Sequence, residues 1–197
     1  MKVHKEGFPG RPIVSTINSP TTKLSIFLAK ILKVSFSGNF TFSIKDSRSF
    51  VEKVKGLRLP PGFVLISLDA VSLFTNISLQ LVKYLIENHW HKIEQNCLIP
   101  REEFLNIITF LFNSNYFVYD NQFYKQKEGC PMGSNLSPIL ANIVMTEIIT
   151  RVCENLDFTF PFIFQYVDDL IMAVPEQQID EVQTSLIQFL RMLLPLR

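Results

Sequence analysis

Two adjacent carboxylates, Asp168 and Asp169, sit inside an apolar run from Phe162 to Val174. The run predicts two short strands joined by a tight turn, with both carboxylates at or beside it. Burying neighbouring negative charges among Phe, Ile, Val and Leu is costly, and like charges raise each other's pKa. A divalent cation is the usual compensator. Two carboxylates at a hairpin tip and a third from elsewhere can hold two Mg²⁺ ions about 3.5–4 Å apart, an arrangement suited to phosphoryl transfer. Asp69 is the candidate third, because it ends the apolar strand Val64–Leu68 in a neighbourhood with no obvious partner. An antiparallel sheet can lay that strand end beside the hairpin tip despite the long stretch of chain between them. The plainer alternatives are a solvated turn for Asp168 and Asp169 and a cap for Asp69.

A third segment, Gln126 to Asn142, carries Gly129 and Gly133, four apart, with Met132 and Ser134 between and beside them. Two such glycines let backbone lie close to another surface, here a flat base or sugar. A simple turn is the alternative. Other side chains point to less. His89 and His91 flank Trp90, and an i, i+2 spacing puts them on different faces of a helix. Cys97, Cys130 and Cys153 are odd in number and far apart, so neither a disulfide framework nor a zinc site is indicated.

The elements that must position these residues are legible. Residues 1–20 are rich in loop formers, with Pro9, Gly10, Pro12 and Pro20. Helical spacing covers residues 21–34, with Lys23, Lys30 and Lys33 interspersed, and a second helix is predicted over 46–55. Leu59-Pro60-Pro61-Gly62 is a strong breaker, and a subdomain boundary is placed there. A strand then runs from Phe63 to about Leu68, and a helix from Ser78, a good N-cap, to His91. Another helix starts near Pro100. Tyr116–Tyr119 and Gln122–Tyr124 flank Asp120-Asn121 as a hairpin. A long helix follows the loop 129–137, with Ser137 as N-cap and Pro138 in the first helical position. The carboxylate hairpin and a last helix from about Glu176 complete an α+β order, an antiparallel sheet with helices on one face.

The chain of 197 residues is 47% hydrophobic and 19% charged, enough to bury one core. No apolar stretch approaches the roughly 20 residues of a membrane span. The N-terminus lacks the apolar segment of a secretory signal, so the chain is not expected to be secreted. Net charge is only +1 but unevenly spread: residues 1–60 carry +8 and residues 61–197 carry −7. A basic lobe beside an acidic one suits phosphate binding, with an uneven solvated surface as the alternative.

Taken in order, Asp69 through Asn76, Gly129 through Asn142, and Tyr166 through Asp169 resemble motifs A, B and C of a reverse transcriptase palm. With Arg11 through Ser15 and Ser19 through Thr21, the chain is most similar to the reverse transcriptases of Penelope-like retroelements. The resemblance covers roughly residues 2–175. It implies a right-hand polymerase palm over 61–197 and partial fingers over 1–60. It also implies RNA-directed DNA polymerase activity on an RNA template, a DNA primer and deoxynucleoside triphosphates. Asp69 and Asp168 would bind two Mg²⁺ or Mn²⁺ ions, supported by Asp169. Arg11, Lys2 and Lys5 would grip the triphosphate. Phe74, five residues past Asp69, would be the steric gate against a ribose 2′-hydroxyl, although a chain with 18 Phe must bury most of them. Met132, Gly133 and Ser134 would lie under the nascent pair, with Met132 where many reverse transcriptases carry Gln. Tyr166 would face the primer terminus.

An intracellular, nuclear setting goes with the resemblance. The chain is expected to be a piece of a longer element without a thumb or an endonuclease segment, and to extend primers poorly by itself. Two alternatives stay open: a non-catalytic nucleic-acid-binding remnant, and another palm polymerase such as one that makes RNA. Phe74 argues against the latter.

Overall fold

The computed structural model describes residue 13 and residues 16–194. In chain order these form α1 (Thr22–Ser35), α2 (Ser47–Val54), β1 (Phe63–Asp69), α3 (Leu73–Asn76), α4 (Leu79–Asn88), α5 (Trp90–Ile93) and α6 (Arg101–Asn113). There follow β2 (Tyr116–Tyr119), β3 (Gln122–Lys125), α7 (Ser137–Asn155), β4 (Ile163–Tyr166), β5 (Asp169–Pro175) and α8 (Ile179–Leu193).

β1, β5 and β4 form one antiparallel sheet, with β5 in the middle. Its register follows from burial. Val64, Ile66 and Leu68 of β1 and Leu170, Met172 and Val174 of β5 face one side and join the core. A slip of one residue would turn this whole set to solvent. The core face is covered by helices. α7 is buried along almost its whole length, from Ile139 to Val152, and packs against α8, α4, α1 and α3. Its interior holds no Gly or Pro, and Pro138 sits in its first turn, where a missing N–H costs nothing. Each fully buried Leu or Ile contributes about 1.5–3 kcal/mol. α7 is therefore the mechanical centre of the molecule.

The α+β layering matches the sequence reading, with one addition. The other sheet face is exposed at Leu65, Ser67 and Asp69 of β1 but is covered elsewhere: Ala173 of β5 is fully buried, and beside β4 Phe50 of α2 meets the Phe164 ring edge-on at 5.7 Å. Residues 42–44 also extend that edge, through a parallel bridge from Ser43 to Gln165. Among the described residues β2 and β3 pair only with each other, joined by Asp120 and Asn121, both at positive φ (50° and 57°) as a tight hairpin turn requires.

Three local expectations are corrected. The helix predicted to reach His91 breaks at His89, because α4 ends at Asn88 and a separate turn, α5, follows. Ser78 caps it as expected, accepting from the Leu81 N–H at 3.1 Å. Ser137 does not cap α7. It is already helical, and its hydroxyl donates to the Pro131 carbonyl at 2.7 Å, closing the preceding loop instead. The last helix begins at Ile179, after a tighter turn over Glu176–Gln178.

Candidate active site

β1 and β5 place Asp69 and Asp169 directly opposite each other. Cα atoms of such a pair are about 4.5–5.5 Å apart and their side chains share a face. That face is the open one, because the neighbours Leu68 and Leu170 turn inward. Asp168 belongs to the two-residue turn Val167-Asp168 between β4 and β5. Its carbonyl accepts from the Ala70 N–H at 3.0 Å, so the turn is tied to the residue that follows Asp69. The pairing of distant strands has thus brought the three aspartates to one end of the sheet.

Their burial differs from the sequence expectation. Asp69 and Asp169 are exposed and Asp168 is half-buried. For Asp69 and Asp169 alternation explains this: their strand neighbours Leu68 and Leu170 take the core face. Among the described residues, no three side chains of His, Cys, Asp or Glu converge closely enough to hold a metal ion by themselves. The donor set nonetheless suits Mg²⁺, a hard cation that takes oxygen ligands. It is usually bound by one or two carboxylates plus water and substrate phosphates rather than by a closed protein cage.

The turn is strained. Val167 has φ 57°, a region a β-branched residue rarely enters. Beneath it lies Gln165, fully buried, whose Nε2 donates to the Val167 carbonyl at 3.0 Å and to Oδ1 of Asn142 in α7 at 3.3 Å. The sequence reading passed over both residues as site members. The signal was present: Gln165 shares a strand face with Ile163, two residues away. A polar side chain at a core position must find partners.

The glycine-containing loop docks on the segment after Asp69. Gly129 has φ 79°, and a Cβ there would stand 2.7 Å from Thr75 Cα and O and 2.9 Å from the Phe74 carbonyl. No L side chain fits. The next residue, Cys130, donates its N–H to that same Phe74 carbonyl at 2.7 Å. Burial pushes the Cys130 thiol far up, against a smaller opposing hydrogen bond with Ser137. Phe74 itself is half-buried and packs partly against the core. Gly133 is exposed and accepts at its carbonyl from the Thr16 hydroxyl at 3.2 Å; Met132 and Ser134 are half-buried beside it. Tyr166 is exposed on the open face. With Ile44, Phe50, Ser67, Phe164 and Asp169 it borders a shallow groove. The structure therefore gathers Asp69, Asp168, Asp169 and Tyr166 at one end of the sheet, and holds the Phe74 carbonyl against Gly129 and Cys130, at the start of the loop that carries Met132, Gly133 and Ser134. Lys2, Lys5 and Arg11 lie outside the described residues.

The family model described as reverse transcriptase (RNA-dependent DNA polymerase) matches residues 3–194. No curated protein sequence matches the chain. Among solved structures, apo telomerase from Candida tropicalis, truncated from its C-terminal domain, superposes with a TM-score of 0.63 at 13% identity. That match covers 88% of this chain and 38% of the telomerase. Telomerase from Candida albicans in complex with a fragment of telomeric RNA superposes with a TM-score of 0.58 at 14% identity, covering 83% and 32%. At such identities the likeness is one of fold, and the chain spans about a third of the length of these structures.

Proposed function

Because the chain belongs to the reverse transcriptase (RNA-dependent DNA polymerase) family, we propose that the end of the sheet carrying Asp69 and Asp169 is the nucleotidyl-transfer site of an RNA-directed DNA polymerase. The observation that carries this reading is the opposition of Asp69 and Asp169 with Asp168 on the adjoining turn. Three carboxylates at one end of a sheet repel one another unless cations offset them. Asp69, Asp168 and Asp169 would hold two divalent cations, Mg²⁺ or Mn²⁺. Bound there, such ions neutralise phosphate charge and ease deprotonation of the primer 3′-hydroxyl. The reaction joins that hydroxyl oxygen to the α-phosphorus of a deoxynucleoside triphosphate and releases pyrophosphate.

The remaining roles belong to the chain's own residues. The Phe74 ring limits space beside C2′ of the incoming sugar. Met132, Gly133 and Ser134 support the new pair, and Tyr166 stands beside the primer terminus. Arg11, with Lys2 and Lys5, supplies charge for the triphosphate; a guanidinium suits bidentate phosphate contact. Residues 61–197 act as the palm and residues 1–60 as part of the fingers. An RNA template, a DNA primer and a nuclear site of action go with this reading. So does an origin in a Penelope-like retroelement, supported by the order and wording of the segments at Arg11, Asp69, Gly129 and Tyr166.

The test is primer extension on poly(rA)/oligo(dT) with Mg²⁺ or Mn²⁺, beside thermal shifts with the same ions. A ligand that binds only the folded state raises its melting temperature. The expected result is a metal-dependent rise that disappears in the double variant Asp69→Asn, Asp168→Asn. Equal shifts in the wild type and the double variant overturn the site. A lost shift with no extension by the wild type favours a binding remnant over an enzyme.

A further inference from the structure

Gln165 plays no part in the chemistry above, yet it is a fully buried carboxamide in the middle of β4, on the face that meets α7. Such a group is costly unless satisfied. Its Nε2 is satisfied twice, by the Val167 carbonyl and by Asn142 Oδ1. Among the described residues its Oε1 has no partner. An orphaned buried acceptor costs about 1–3 kcal/mol, so a leucine would serve packing better. The main chain of Gln165 is already fixed: its N–H donates to Phe42 at 2.8 Å, and its carbonyl accepts from Ile44 at 2.9 Å. The side chain is thus the part that reaches forward to the turn.

That turn needs an outside hold. Val167 at φ 57° is strained by about 1–3 kcal/mol, and such residues persist only where their surroundings over-determine them. Asp168 and Asp169 follow at once. A continuous chain of contacts runs from Asn142 in α7 through Gln165 to the Val167 carbonyl, then from the Asp168 carbonyl to the Ala70 N–H beside Asp69.

We propose that Asn142 and Gln165 are positioning residues that brace the Val167-Asp168 turn from beneath and so set where the three carboxylates stand. The consequence for metal binding rests on the polymerase reading; the brace itself does not. α7 is the most deeply packed helix, so it is a rigid anchor for this purpose. The link also joins the helix after the glycine-containing loop to the carboxylate turn.

The test uses the full chain as wild type, Gln165→Met, Asn142→Leu and Asp168→Asn. Three quantities are measured: the melting temperature in EDTA, the Mn²⁺ dissociation constant by electron paramagnetic resonance, and amide exchange at Ala70 by NMR. Gln165→Met keeps the volume and removes both the donor and the orphaned acceptor. It also takes the donor from the Val167 carbonyl and Asn142 Oδ1, both only half-buried and within reach of water, so the melting temperature should change little. It should weaken Mn²⁺ binding by about tenfold, the usual size for a residue that orients a ligand. It should also speed exchange at Ala70 but not at Ile66 or Met172 in the same sheet. Asn142→Leu should shift the same two quantities in the same direction, and it keeps the test alive if Gln165→Met does not fold. A fall in melting temperature with Mn²⁺ affinity and Ala70 exchange unchanged would make the pair mere core packing and overturn the proposal. No change in any of the three overturns it too. Faster Ala70 exchange in a protein whose wild type binds no Mn²⁺ supports the brace and sinks the polymerase reading.

Discussion

On α7, Glu147 accepts from the Arg151 Nε at 2.8 Å and faces the His89 Nε2 at 3.4 Å, while Arg151 also donates to the Tyr84 hydroxyl. The His89 hydrogen bond, then those of Arg151, hold its carboxyl down at about 2, against the pull of burial. A carboxyl that titrates lower when folded stabilises above its unfolded value. Its contribution is complete above about pH 4.5 and is lost as pH falls towards 2. Glu147→Gln should therefore cost about 1 kcal/mol at pH 7, the scale of a partly exposed ion pair. Urea titrations at a series of pH values should show the difference closing across that window. The Cys130 thiol, buried and raised, should resist maleimide until the protein unfolds, whereas the half-exposed Cys97 should react first. Phe74 tests the proposed chemistry. In an active polymerase, Phe74→Ala should raise ribonucleotide over deoxyribonucleotide incorporation, measured as a ratio of kcat/KM values. Unchanged discrimination with activity retained makes Phe74 a core residue, in keeping with its partial packing against the core.

Between elements, the decisive contact is the docking of the Gly129 loop on α3. It brings two segments about fifty residues apart into van der Waals contact and adds the Cys130 N–H bond to the Phe74 carbonyl. Gly129→Ala meets two penalties at once, a positive φ and a Cβ inside the Thr75 backbone. It should cost about 2 kcal/mol or more in urea unfolding. If Phe74 forms part of the site, the same change should also disturb sugar discrimination. A Gly129→Ala protein as stable as wild type would mean that the loop does not dock this closely.

For the whole molecule, charge is the property that bears on a partner. The basic stretch, +8 over residues 1–60, includes Lys23, Lys30 and Lys33, all exposed on α1. Removing α1 is not a usable test, because Leu28 and Leu32 are fully buried and shortening the chain would open the core. Replacing the three lysines by Gln leaves the core alone. If each contacts a phosphate, the slope of log affinity for duplex against log salt should flatten by roughly 2–3. An unchanged slope would place the phosphate contacts elsewhere. Among the described residues no helix is long and apolar enough to cross a membrane.

Periodicity, breakers and turn residues are local signals, and what depends on them was legible in the chain itself: the helices near 22–35, 47–54, 101–113 and 137–155, both hairpins, and the ordered segments at Asp69, Gly129 and Tyr166. The helix break at His89 escaped because the apolar spacing continues through it. What no local pattern encodes is which distant residues meet. The opposition of Asp69 and Asp169 comes from burying alternate residues of β1 and β5 against α7 and α8, and that choice also turned these two carboxylates out to solvent. The fit of Gly129 on Thr75 required knowing which backbone would lie beneath it. Gln165 read as one polar residue in an apolar strand until the fold set Asn142 on one side of it and the Val167 carbonyl on the other. Residue types and spacing named the chemistry; packing of non-local faces, which alone fixes register and exposure, decided where that chemistry stands.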